Sequence, residues 1–130
     1  MINALLSLAA ISGTQVEGYW ITNDRTSVVR VTPCGAEVCG TISRILARGP
    51  QVPSTDVNDP QPALRSRPLV GLQVLSGFAS NGSSWINGRA YDPKTGRSYK
   101  ARLTPNSDGT LTVTGCVLFI CQSQRWTRLR

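Results

Sequence analysis

Apolar and polar side chains alternate every two residues along most of this chain, and Gly, Pro, Asn and Asp cut the alternation at short intervals. No stretch longer than a turn keeps a 3.6-residue apolar period. Alternation places every second side chain on one face, so each segment reads as a strand with one buried face. The pattern predicts strands at 16–22, 27–32, 41–46, 69–79, 84–91, 98–104 and 111–115, with an eighth ending near Arg128. In the sixth, Tyr99, Ala101 and Leu103 share one face, while Lys100 and Arg102 share the other. Turns are expected at Asn23-Asp24-Arg25, Asn81-Gly82, Asp92-Pro93-Lys94-Thr95-Gly96 and Asn106-Ser107-Asp108-Gly109. Short strands joined by tight turns point to an all-β fold, an eight-stranded antiparallel up-and-down barrel, because closing the sheet removes its exposed edges. A β-sandwich is the alternative. An eight-stranded barrel has room inside for packed side chains or one small ligand.

One segment breaks the pattern. Residues 47–68 hold five prolines, Pro50, Pro53, Pro60, Pro62 and Pro68, in one long connection. Asp59-Pro60 is suited to begin a short helical turn over 61–65. A connection of this length serves either as a functional lid or as closure for one barrel end.

The chain has 130 residues, enough for one domain and too few for two with separate cores. It contains no histidine. That excludes a His general base, Ser-His-Asp and Cys-His nucleophiles and His-ligated metal sites. Fourteen Lys and Arg against seven Asp and Glu give a net charge of +7. At 40% hydrophobic residues the composition is too apolar for a disordered basic tail.

The first sixteen residues carry no charged side chain, and 4–11 form an apolar run too short to span a bilayer, which needs about 20 residues. The run matches the apolar core of a secretory signal, although the basic residues that normally precede one are absent. Residues 1–14 therefore read as a signal peptide or a remnant of one, and 15–130 as a single β-barrel domain, periplasmic or secreted. No transmembrane segment is expected. Cys34, Cys39, Cys116 and Cys121 form two C-x4-C pairs, a spacing that fits neither zinc ribbons nor redox motifs. Four cysteines allow three disulfide pairings. Chain entropy favours the crossed pairs, whereas hairpin geometry and oxidation kinetics favour neighbours, and the local pairs are expected. Buried free thiols are the alternative.

Gly18-Tyr19-Trp20 on the first strand, with Arg128 on the last, resembles the lipocalin and wider calycin signature. There a tryptophan plugs the closed barrel end and an arginine lies across its indole, with Arg125 and Trp126 as other candidate members of the pair. A broader resemblance covers 18–128. Its segments are Gly18-x-Trp20-x-Thr22-x-Asp24, Cys34-Gly35-x-x-x-Cys39-Gly40, Leu64-Arg65-x-Arg67-Pro68-Leu69-x-Gly71, Gly77-Phe78, Trp85, Tyr91-Asp92-Pro93-x-x-Gly96-x-x-Tyr99, Gly115-Cys116 and Trp126-Thr127-Arg128. In these the chain resembles the bacterial family called domain of unknown function 2147. Two departures stand out: Arg25 occupies a position where relatives often carry Gly, and Asn58-Asp59-Pro60 permutes a more usual Asn-Pro-Asp order. The resemblance implies an exported protein with a lipocalin-like barrel, and no particular activity.

Three functions compete. The first is binding of a small apolar or amphipathic ligand, with or without an anionic group. Phe78, Trp85 and Tyr99 would line the interior, and Arg65 and Arg67 would receive an anion at the mouth. The same aromatics suit ordinary core packing, and the same arginines suit ion pairs with Asp56 or Asp59. The second is a structural or interaction module contacting envelope proteins or anionic envelope polymers, with Val117-Leu118-Phe119-Ile120 as a docking patch unless that loop folds inward. The third is an enzyme using Tyr91, Asp92 and Tyr99 for proton transfer, but Asp92-Pro93 is better explained as turn chemistry. No catalytic residue, cofactor, metal or nucleic-acid partner is expected, and oligomeric state is left open.

Overall fold

Eight strands wind into a closed antiparallel barrel in the computed structural model, which describes residues 15–130; the expected signal segment 1–14 lies outside them. The strands are β1 (Gly18–Ile21), β2 (Ser27–Cys34), β3 (Glu37–Ile45), β4 (Gln73–Ser80), β5 (Trp85–Asp92), β6 (Arg97–Pro105), β7 (Leu111–Val117) and β8 (Ile120–Arg128). Each pairs with the next, and β1 returns to β8 through Trp20 opposite Arg128 and Ile21 opposite Thr127. Register shifts at Val28–Val29 and around Gly40 bend the sheet where β2, β3 and β4 must curve.

Both cysteine hairpins are tighter than their C-x4-C spacing requires. The ladder runs on to Cys34 opposite Glu37 and to Val117 opposite Ile120, so only two residues turn in each. Gly35 and Leu118 take the left-handed backbone that such turns require. The disulfides are Cys34–Cys39 and Cys116–Cys121, the local pairs.

Up-and-down winding sorts the connections between two ends. Turns 35–36, 81–84 and 106–110 lie at one end, and loops 22–26, 46–72, 93–96 and 118–119 at the other. The first end is packed shut. Trp20, Phe78, Leu103 and Leu111 are fully buried there, with Val31, Val38 and Trp85 beside them. Each such side chain contributes about 1.5–3 kcal/mol by leaving water. Gly88 on β5 is required because Phe78 lies flat against its backbone, in the space that a Cβ would fill. Arg128 stacks on Trp20 with its guanidinium carbon 4.2 Å from the ring centre. It also donates to the carbonyls of Glu17 (2.8 Å) and Gln15 (3.1 Å), while the Trp20 indole donates to the Val16 carbonyl (2.8 Å). Gly18 leaves room for that arginine: a Cβ there would stand 2.6 Å from Nη1.

The fourth strand begins later than its alternation predicts. Residues 69–72 belong to the long connection, and Leu69 and Leu72 are buried where it returns to the barrel. Its helical content is one 3-10 turn, Pro62–Leu64.

Candidate functional site

The unpacked end opens into a cavity of about 910 Å³. Its apolar wall comes from mid-strand positions: Val29, Ile42, Leu75, Ala90, Val113 and Trp126. Tyr99 also lines it, seated against Gly115, where a Cβ would approach the tyrosine Cβ at 3.4 Å. Polar side chains gather towards the rim, where Asp24, Asn58, Asp92, Lys94 and Arg97 border the opening. Gln122 and Gln124 add amides on β8, and Gln124 accepts from the Trp126 indole at 3.0 Å. The cavity is therefore apolar in depth and polar at its mouth.

Two loops meet over that mouth. The β1–β2 loop and the β5–β6 turn lie on opposite sides of the eight-membered ring, yet Asp24 forms a salt bridge with Lys94. Asp24 is held by its own turn, accepting from the Thr26 amide (3.2 Å), the Thr26 hydroxyl (2.8 Å) and the Thr22 hydroxyl (2.9 Å). Arg25 follows with φ 61°, the left-handed conformation that Gly adopts without strain. On the other loop, Asp92 accepts from the Lys94 amide at 3.0 Å, so its carboxylate is engaged in the turn.

The wall is interrupted at one place. β8 pairs with β7 over residues 120–126 but with β1 only at its far end. Among the described residues no strand lies along the other edge of 120–126. Thr22 and Asn23 on one side of this seam, and Gln122 and Gln124 on the other, all line the cavity.

The long connection is fastened to the rim by a charged cluster. Arg67 donates to Asp56 (Nε, 3.1 Å) and Asp59 (Nη2, 2.9 Å), and the Tyr91 hydroxyl donates to Asp56 at 2.7 Å. Asp56 is fully buried. The Gln61 amide, together with Asp56, Arg67 and Tyr91, holds the Asp59 carboxyl below the usual carboxylate range against the opposing effect of burial. Burial, followed by the adjacent Asp56 carboxylate, pushes the Tyr91 phenol well above its ordinary value. Nearby, Asn58 donates to the carbonyls of Pro93 (3.0 Å) and Lys94 (3.1 Å). A Cβ at Gly96, where φ is 74°, would collide with the Asn58 carbonyl. The connection is thus a fixed part of the wall beside β5 and β6.

The family described as "Uncharacterized protein conserved in bacteria (DUF2147)" matches residues 18–128. The chain belongs to that family. Among solved structures, protein HP1028 from the human pathogen Helicobacter pylori, described as belonging to the lipocalin family, superposes with a TM-score of 0.77. It shares 24% identity, over 88% of this chain and 82% of that one, a likeness of fold. No curated protein matches the chain.

Within this DUF2147 barrel the residues singled out from sequence separate. Tyr99 lines the cavity. Phe78 and Trp85 are not among its lining residues and pack in the core, where the Trp85 indole finds no acceptor among the described residues. Arg67 is committed to Asp56 and Asp59, and Arg65 donates to the Asp59 carbonyl at 2.6 Å; neither borders the cavity. Sequence reasoning missed Gln122, Gln124 and the Asp24–Lys94 bridge. The glutamines carry a signal, since they fall at two-residue spacing with Trp126, but a polarity rule assigns such residues to the solvent face. Among the described residues no cluster of His, Cys, Asp or Glu is placed to hold a metal ion, and no helix is long and apolar enough to cross a membrane.

Proposed function

We propose that this protein is an extracytoplasmic carrier of one small amphipathic molecule, held with its apolar part in the barrel and its polar group at the rim. The observation that carries this reading is the cavity of about 910 Å³, apolar in depth and polar at the mouth. Small-molecule sites typically enclose about 300–1,000 Å³ and combine apolar walls with a few placed polar groups. Lipocalin-like architecture, reported for the similar Helicobacter pylori protein, supports it. Two disulfides agree with an oxidising compartment outside the cytoplasm. Tyr99, Gln122 and Gln124 are the groups assigned to orient the ligand, and Arg97 suits an anionic head.

Native mass spectrometry of the protein purified from its host tests the proposal. A co-purifying small molecule that is lost in Val113→Trp, which fills the cavity, is the expected result. A clean apo mass, together with no quenching of tryptophan emission by long-chain carboxylates, rejects it. A second reading, an envelope interaction module without a small ligand, is favoured by the exposed Val117–Ile120 tip and predicts that clean mass.

A further inference from the structure

The β7–β8 hairpin ends in four consecutive apolar side chains that no described residue covers. Leu118 is 90% exposed and Phe119 88%, with Val117 and Ile120 more than half exposed. Apolar tips of this kind are costly to leave in water and mark contact surfaces. This one is braced at its base by Cys116–Cys121, whose Cα atoms stand 4.0 Å apart, so its shape does not depend on a partner. It projects from the open end, and Val117 and Ile120 also line the cavity, so the exposed patch runs into the apolar interior.

We infer that this tip inserts into the headgroup–acyl boundary of an anionic phospholipid membrane and seats the barrel mouth on the lipid. Shallow insertion into lipid needs no polar side chain at the tip, and Val117, Leu118, Phe119 and Ile120 supply none. Charge supplies the second argument. On either side of the tip, Arg25 in the β1–β2 loop and Arg97 at the start of β6 lie at the same end, and neither forms a salt bridge among the described residues. The chain as a whole is +7, which favours an anionic surface over a neutral one. The seam between β8 and the β1–β2 loop descends from this hairpin into the cavity. An acyl chain can therefore pass sideways from lipid to barrel while the Asp24–Lys94 bridge stays closed above. The inference rests on the carrier reading for its purpose, but its test does not depend on that reading.

Flotation of the full chain with phosphatidylglycerol–phosphatidylcholine vesicles, compared with phosphatidylcholine alone, provides the test. Binding is expected with the anionic vesicles and should weaken as salt rises. The double variant Leu118→Ser/Phe119→Ser should bind at least about 100-fold more weakly while its circular dichroism and disulfides stay those of the parent. Arg25→Gln and Arg97→Gln should each lower affinity about fivefold. Phe119→Trp gives an independent readout: its emission should shift to the blue on binding and be quenched by brominated acyl chains. Absence of flotation, equal flotation of the Ser variant, an unquenched indole in Phe119→Trp, or capture of a protein through the tip without lipid binding each overturns the inference. Cavity occupancy is followed separately by titration with a fluorescent fatty acid in the absence of vesicles. Lipid docking with an empty cavity refutes the carrier reading alone, and a filled cavity without docking refutes only the inference.

Discussion

At the scale of single residues, the connections are held by a few side chains whose protonation matters. Tyr91 donates to buried Asp56, and Asp59 sits beside Arg67 in the same cluster. The Tyr91 phenol is raised, so its contribution to stability is complete below the ordinary tyrosine pKa of about 10 and is lost as pH climbs through the higher folded value. The Asp59 carboxyl is lowered, so its contribution is present above the ordinary aspartate pKa of about 4 and is lost as pH falls through the lower folded value. Urea unfolding midpoints should therefore be level from about pH 5 to 10 and decline on both sides. Tyr91→Phe should cost about 1–3 kcal/mol at neutral pH, because it leaves a buried carboxylate short of a donor. The same variant should weaken the alkaline decline strongly and the acid decline only slightly, because the Tyr91 hydroxyl is the smallest of the influences that lower Asp59. An unchanged alkaline limb would assign that decline to other groups.

Strands and turns were the most legible elements, and the reason is mechanical. Alternation such as Tyr99, Ala101, Leu103 against Lys100, Arg102 reports directly which face meets the core, and β6 follows it. Asn81 and Asp108 cap their turns through their own side chains, local chemistry that a sequence displays. Partners in space were less legible. Arg65 and Arg67 look identical in sequence, and only contacts in space distinguish them: Arg67 pairs with the Asp56 and Asp59 carboxylates, whereas Arg65 donates to the Asp59 carbonyl. Phe78 and Trp85 differ from Tyr99 by depth along the barrel, which alternation does not encode. The Val117–Ile120 tip is outward because the ladder continues to Val117 and leaves a two-residue turn, too short to fold back.

The disulfides also act at element scale. Each joins cysteines five residues apart. Loops this small constrain the unfolded chain by only about 2 kcal/mol each. Cys34→Ser/Cys39→Ser and Cys116→Ser/Cys121→Ser should therefore each stay folded as barrels, with calorimetric midpoints lowered by no more than that. Complete unfolding of either variant would show that its bridge organises more than its own hairpin.

For the whole molecule, a sealed half and an open half coexist in one barrel. Trp20, Phe78 and Leu103 fill the first; the cavity occupies the second, below a salt bridge between opposite loops. An exposed pair of this kind contributes about 0–1 kcal/mol, so it restrains the mouth without locking it. Asp24→Asn should raise the association rate of a cavity-directed fluorescent fatty acid by up to about fivefold, with little change in thermal midpoint. Added salt should produce a similar acceleration in the parent protein and little in the variant, as read by stopped-flow fluorescence. An unaltered rate would assign entry to the side seam alone.

The arginine that stacks on Trp20 bonds the Glu17 carbonyl 111 positions away in sequence. Closure therefore depends on the most distant pairing the barrel contains, and the search for it is slow because so much chain must be gathered first. Until β1 meets β8, every partly folded form is an open sheet with two unsatisfied edges, prone to pair with a neighbouring molecule. Crowded refolding should consequently divert the chain into aggregates, whereas dilution lets each molecule find its own last strand.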